Sequence, residues 1–322
     1  MTHLFRAAFA LALAFAAALP LRAEPVLRIA TLERGTVQWE LQTILREGLD
    51  RREGVTLEVQ GLAGKSATDI ALLGGAADAI VTDWFWVARQ RAMGRDYVFI
   101  PYSTAVGGLV VAEGSDIRSL ADLAGRTVGV AGGPLDKSWL LLQALAKKRH
   151  GIDLGEVATP VFGAPPLIHQ KALSGEIDAA INFWHFLAKL EARDFRMVAS
   201  VADAAEELGL DPRTPLLGYV LPGAFAAGNP ETVAAFARAS QAAKALLLAD
   251  DAAWAPLRPL MDAEVDAEFA ALVAGWRAGA PDPGPVDAAA AARLYAFMAD
   301  LGGEELVGPA LELPEGVFWN GL

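Results

Sequence analysis

A repeat constrains this fold more than any other feature of the sequence. Ala71 to Trp84 (ALLGGAADAIVTDW) and Lys171 to Trp184 (KALSGEIDAAINFW) align at an offset of one hundred residues, with Leu, Gly, Asp, Ala and Trp at equivalent places. Each copy reads as a helix, a glycine stop, a short apolar strand, and a polar residue opening the next helix. Upstream, Val26 to Thr31 and Thr127 to Ala131 are apolar strand segments. Each is followed by a glycine-containing loop and a helix, Val37 to Leu49 in the first half and Leu135 to His150 in the second. Strand, loop, helix, strand, helix, strand in each half predicts parallel sheets covered by helices, and so an α/β chain of two similar lobes.

The joins between the lobes follow from what is left over. Gly107 to Ala112 is a strand-like run leading into the second half, and Leu216 to Leu221 is its match for the return. The expected division is residues 24–110 for lobe 1, with 215–322 returning to it, and 111–214 for lobe 2. Two crossing segments near Val110 and Tyr219 then act as a hinge. After the return, Asn229 offers an N-cap ahead of Pro230 at the first helical position, and the helix runs to about Leu248. Further helices are expected over Ala263 to Ala278 and Val286 to Ala299, joined by the Pro281 to Pro285 loop and packed back on the first lobe.

The N-terminus predicts the compartment. Arg6 precedes an unbroken Ala, Leu and Phe run from Ala7 to Leu19, which Pro20 and Leu21-Arg22-Ala23 close. A bilayer-spanning helix needs about 20 apolar residues, so this shorter run reads as a cleavable secretory signal over residues 1–23. The mature chain is then expected to start at Glu24 and to be soluble in the periplasm. The formal net charge is −12, and loss of Arg6 and Arg22 makes it more negative by two. That balance argues against nucleic acid and against an anionic membrane surface as partners. With no cysteine, the fold rests on its apolar core, and thiol chemistry, cysteine metal sites and a thiol-linked lipid anchor are excluded.

The segment Ser115 to Val130 (SDIRSLADLAGRTVGV) carries a more specific signal. It resembles the run ending Asp-Leu-x-Gly-(basic)-x-Val that opens the second lobe in periplasmic solute-binding proteins of ABC importers. The similar class is the one serving nitrate, aliphatic sulfonates, taurine and thiamine-precursor pyrimidines. Gly175 to Ala179 and Asn182-Phe183-Trp184 are also similar to that family's pattern, and the likeness runs over about Leu27 to Asn229. The resemblance implies a type II periplasmic-binding-protein fold, two Rossmann-like lobes joined by two hinge segments. It also implies a small-molecule ligand held between the lobes, an inner-membrane ABC permease as partner, a monomer, no cofactor and no chemistry performed. The ligand itself stays open among sulfonate, taurine, nitrate and pyrimidine-like solutes, with a flat or aromatic organic molecule preferred over nitrate. A stand-alone exported sensor of the same fold is the other reading.

In open parallel sheets, ligands sit beyond the carboxyl ends of the strands, where helix N-termini offer free N–H groups. The loops Leu32 to Trp39, Thr82 to Trp86, Gly132 to Trp139 and Asn182 to His185 meet that description, with Ser103 and Thr104 as a fifth place. The candidate ligand-binding residues are therefore Arg34, Gln38, Trp39, Thr82, Asp83, Trp84, Ser103, Thr104, Asp136, Lys137, Asn182 and Trp184. Asp83 and Asn182 also suit the N-cap position, and the two roles are compatible. Arg34 suits an anion best, because a guanidinium binds a carboxylate or sulfonate with two N–H groups; Lys65 and Lys137 are further cations. Glu33, Glu40, Asp83 and Asp136 suit an amine. Five of the eight tryptophans (Trp39, Trp84, Trp86, Trp139, Trp184) fall in or beside these loops, which predicts an aromatic-lined pocket. The repeat sharpens this into Trp84 and Trp184 facing one another across the cleft.

Other chemistry finds little support in the sequence. His169 and His185 are separated by a strand, His150 lies near a charged helix end, and no His-x-x-x-His or nucleophile elbow is present. Gly132-Gly133-Pro134 lacks the Gly-Lys-Ser/Thr ending of a P-loop. Relatives of this fold that make the thiamine pyrimidine depend on a cysteine-rich motif, which has no counterpart here. No DNA-binding helix pair precedes Val26.

Overall fold

The computed structural model describes residues 24–321, and the signal-like segment 1–23 lies outside them. Ten strands, numbered in chain order, are β1 Val26–Leu32, β2 Thr56–Leu62, β3 Ala79–Asp83, β4 Tyr97–Ser103, β5 Gly108–Ala112, β6 Thr127–Ala131, β7 Thr159–Gly163, β8 Ala179–Asn182, β9 Phe195–Ser200 and β10 Leu217–Pro222. They form two five-stranded sheets, ordered β2-β1-β3-β10-β4 and β7-β6-β8-β5-β9. The second order is the first with each strand replaced by its counterpart, so the repeat is a duplicated layout.

In each sheet one strand runs against the rest: β10 is antiparallel to β3 and β4, and β5 to β8 and β9. The reason is the route of the chain. The first crossing leaves from the carboxyl end of β4 and the second from β9 by way of the helix Val201–Glu207, and a strand entering the facing sheet from the cleft runs opposite to strands that end there. The central parallel strands bury mostly apolar side chains, as parallel sheets covered by helices require: Leu27, Ile29 and Ala30 in β1, Val128, Val130 and Ala131 in β6.

The larger helices, again numbered in order, are α1 Val37–Glu47, α2 Lys65–Leu73, α3 Trp84–Ala92, α4 Lys137–His150, α5 Pro165–Leu173, α6 Trp184–Glu191, α7 Val201–Glu207, α8 Pro230–Ala249, α9 Asp266–Ala278 and α10 Ala288–Val307. α1 ends two residues short of the expected Leu49, because Gly48 at φ 61° turns the chain left-handed and gives its N–H to Ile44 and Leu45 carbonyls. The repeated motif has a structural explanation. Gly75 and Gly175 both sit at φ 72°, the left-handed turn between helix and strand. The Asp three residues on ties the new strand to its neighbour: Asp78 accepts from the Arg28 N–H at 2.9 Å, and Asp178 from the Thr127 N–H at 2.7 Å.

The crossings lie outside the strands. Val110 and Tyr219 are fully buried inside β5 and β10. The chain instead passes between sheets in the loops 104–107 and 211–216, the second of which meets the end of β4 through Leu216 N–H to the Ser103 carbonyl at 3.1 Å. The boundary thus falls before Gly108 instead of after Val110, since β5 is wholly a strand of the second sheet. The C-terminal helices also depart from expectation. α8 packs on α1 of the first lobe, but α9 lies along α6 of the second, and α10 touches both α3 and α4. Among the described residues no helix is long and apolar enough to cross a membrane.

Candidate functional site

The carboxyl ends of the parallel strands of both sheets point into the space between the lobes, and the helices that follow them meet across it. The meeting is crossed. α1, which follows β1, faces α6, which follows β8: the Trp39 and Trp184 rings lie 6.0 Å apart, edge to face. α3, which follows β3, faces α4, which follows β6: Lys137 Nζ reaches Asp83 Oδ2 at 3.2 Å and lies 5.1 Å from the centre of the Phe85 ring. Two lobes related by an approximate twofold bring equivalent residues together only on the axis. Off the axis, each meets the other's neighbour.

That geometry corrects the expected Trp84–Trp184 pair. Trp84 is fully buried in the first lobe, its indole N–H on the Pro215 carbonyl at 2.9 Å and its ring against Phe85, Tyr295 and Phe318. Trp184 belongs to a different cluster. It is half-buried between Trp39 and Gly275, where a Cβ would come within 2.7 Å of its ring. The wider aromatic pocket is corrected with it, because Trp39, Trp86 and Trp139 are all buried. A large chain without disulfides needs that apolar area in its cores, and residues opening a helix at a strand end are well placed to supply it.

The other expected residues divide by what already holds them. Asp83 caps α3, accepting the Trp86 N–H at 3.0 Å, and Asp136 caps α4, accepting the Trp139 N–H at 3.0 Å. Asn182 does not cap α6; Phe183 holds that position. The Asn182 amide instead donates to the Pro165 carbonyl at 2.9 Å and accepts the Phe183 N–H, which fixes the end of β8. Gln38 folds back on the Leu32 carbonyl at 3.1 Å, and Thr82 accepts from Lys65 Nζ at 3.0 Å. Ser103 and Thr104 both donate to the Gly279 carbonyl, anchoring the end of α9 to the end of β4. Arg34 is exposed and makes no ion pair among the described residues. Glu40 lies behind the cleft, fully buried and bound to Tyr219, Ser240 and Lys244. So the candidates that meet are Asp83 with Lys137, and Trp39 with Trp184.

The charges at the meeting point are paired. Burial alone would raise the Asp83 carboxyl, but the Lys137 charge, the Trp86 N–H and the Lys137 hydrogen bond outweigh it and hold it below the usual aspartate range. Asp136 moves the other way, because burial exceeds the help of the Trp139 N–H and of Lys137. Burial, with the nearby Lys189 charge and His169, pushes His185 down to about 3, so it is neutral at physiological pH. Lys137 has three N–H donors and, among the described residues, spends one of them, on Asp83.

Beside this pair the lobes border a partly open cavity of about 50 Å³. Phe85 comes from the first lobe, Lys137 and Ser138 from α4, Val201 and Ala205 from α7, Val106, Thr214 and Leu216 from the two crossing loops, and Leu294 and Met298 from α10. The space holds a few water-sized groups. It is apolar except for Lys137, Ser138, Thr214 and an Asp211 carboxylate that accepts the Arg213 backbone N–H at 3.0 Å. Of the expected site residues only Lys137 lines it. Phe85 lies inside the expected loop Thr82 to Trp86, where nothing in the sequence sets it apart from its tryptophan neighbours. The i, i+4 spacing of Leu294 and Met298 is visible in the sequence, but not the partner they face.

The family model described as NMT1/THI5 like matches residues 47–253 of the chain. No curated protein matches it. Among solved structures, the chain is similar to the periplasmic aliphatic sulphonate binding protein SsuA from Escherichia coli, at 20% identity over 92% of each chain and a TM-score of 0.72. It is similar to the alkanesulfonate-binding protein SsuA from Xanthomonas axonopodis pv. citri bound to MOPS, at 20% identity over 92% of this chain and 99% of that one, TM-score 0.70. It is also similar to the ligand binding component of an ABC-type import system from Staphylococcus aureus with zinc bound, at 12% identity over 92% and 97%, TM-score 0.68. At these identities the likeness is one of fold, the two-lobed periplasmic-binding-protein architecture. Among the described residues, no group of three or more His, Asp or Glu is placed to hold a metal ion.

Proposed function

The chain belongs to the NMT1/THI5-like family, and we propose that it is the exported, periplasmic solute-binding component of an ABC importer. It takes a small organic anion between its lobes, as a monomer, and passes it to an inner-membrane permease without changing it chemically. The observation that carries this reading is Lys137. It stands on the second lobe, bridges to Asp83 on the first, borders the interlobe cavity, and has N–H donors to spare. An anion binding there touches both lobes, and a ligand shifts an open–closed equilibrium only by its differential affinity for the two states. The names of the two similar sulfonate-binding proteins support a sulfonate head group. A binding role also fits a cleft whose histidine His185 stays neutral and which has no cysteine to act as a nucleophile.

The test is a melting-temperature titration of the mature protein with butanesulfonate, taurine, MOPS and nitrate. At a hundredfold excess over its dissociation constant, a binding solute adds about 2.7 kcal/mol of stability. Lys137→Gln is expected to weaken binding by about tenfold or more, the scale of a lost hydrogen bond to a charged group. If none of the four raises the melting temperature, or nitrate alone does, the organic-anion reading fails.

A further inference from the structure

α10 comes from the C-terminal end of the chain, far in sequence from every strand-end loop, yet it supplies one side of the interlobe cavity through Leu294 and Met298, one turn apart. Its position there is fixed. Tyr295, fully buried between those two, shares its hydroxyl between the Val307 and Ala310 carbonyls at 3.0 and 2.8 Å and stacks on Phe85 at 5.4 Å. Phe85 also lies under Lys137, so α10, the aromatic ring and the lysine form one packed unit. A second observation points to an occupant. Thr214 lines the same cavity, is 8% exposed, and its hydroxyl has no hydrogen-bond partner among the described residues. A polar atom of a bound solute would supply the partner that this buried hydroxyl lacks.

We propose that α10 determines which solutes the protein accepts: Leu294 and Met298 set the length of the carbon portion, with the anionic group at Lys137 and a polar atom within reach of Thr214. This rests on the reading of the cleft as an organic-anion site. A cavity of about 50 Å³ selects a short aliphatic chain, and each methylene that fits adds about 0.8 kcal/mol, a gain of about fourfold in affinity. A methylene that does not fit must displace α10.

Calorimetric titration with straight-chain sulfonates from methane- to hexanesulfonate, and with the matching carboxylates, tests this on the wild type, Leu294→Ala and Leu294→Phe. Leu294 is only partly buried, so both variants are expected to fold, and their melting curves are recorded first. In the wild type, affinity rises about fourfold per methylene up to a short chain and then falls. Leu294→Ala moves the optimum to a longer chain, and Leu294→Phe to a shorter one. Should all three proteins bind with the same ranking of lengths, α10 is not the wall and the proposal is overturned, while the solute-binding reading stands. Binding of no member of either series to the wild type overturns both.

Discussion

Replacing Trp84 by Ala is expected to cost about 3–5 kcal/mol of folding stability, the range for deleting a fully buried Trp or Phe, and to leave solute affinity unchanged. The side chain is wholly inside the first lobe, packed on Phe85, Tyr295 and Phe318. Its loss also leaves the Pro215 carbonyl without the indole N–H. Denaturant midpoints measure the loss, and for a chain of this size the melting temperature falls on the order of 10 °C. Trp184→Ala is the contrast. Half-buried between the lobes against Trp39, that ring contributes an edge-to-face pair of about 0.5–1.5 kcal/mol beyond its area. Its removal is expected to alter closure more than folding. If Trp84→Ala folds as well as the wild type but binds more weakly, the ring faces solute and its assignment to the core is wrong.

An effect of similar size is expected at Glu40, for a different reason. Its carboxylate is fully buried, accepting from the Tyr219 hydroxyl at 2.8 Å and from Ser240 at 2.6 Å, with Lys244 Nζ at 2.7 Å. Lys244 is itself nearly buried and lies 5.3 Å from the centre of the Tyr102 ring. The pair joins α1, β10 and α8, so the helix that opens the cleft is tied to the returning strand. Burial and then the Glu40 charge hold the Tyr219 hydroxyl well above its ordinary pKa, so it stays a donor. Removing one member of a buried ion pair leaves the other uncompensated, at a cost of about 3–5 kcal/mol, whereas replacing both by apolar groups is often neutral. Glu40→Leu is therefore expected to lose about 3–5 kcal/mol, and Glu40→Leu with Lys244→Met to recover most of it. Additive losses in that double-mutant cycle would show that the two charges do not depend on one another.

The layout of the fold was legible because duplication prints it twice. Gly75 and Gly175 announce the same left-handed turn, and Asp78 and Asp178 the same tie between strands. The strand order followed as far as the α/β class, and Asp83 was recognisable as a cap from its position before a helix; Asp136, expected inside a helix from Leu135, caps it instead because the helix starts at Lys137. Asn182 was misplaced by one residue, since a Phe in extended conformation takes the cap position and the amide turns to the Pro165 carbonyl. The site was less legible for two physical reasons. A repeat tells which residues are equivalent, but a twofold sets each opposite the neighbour of its equivalent, so Trp184 meets Trp39 and Asp83 meets Lys137. And the cavity is finished by Thr214, Leu294 and Met298, brought there by tertiary packing that leaves no local signal. Ser103 and Thr104 were well placed at a strand end, but the returning chain at Gly279 uses both.

Capture between lobes that close on the solute is the central claim, and the absence of cysteine allows a direct measurement of it. Ile70→Cys with Glu156→Cys places one exposed thiol on each lobe, and spin labels on the two report the interlobe distance by pulsed electron resonance. With the organic anion that raises the melting temperature most, the distance distribution is predicted to collapse onto its shortest population, and Lys137→Gln to require a higher solute concentration for the same collapse. A distribution unchanged at saturating solute would contradict closure as the means of capture.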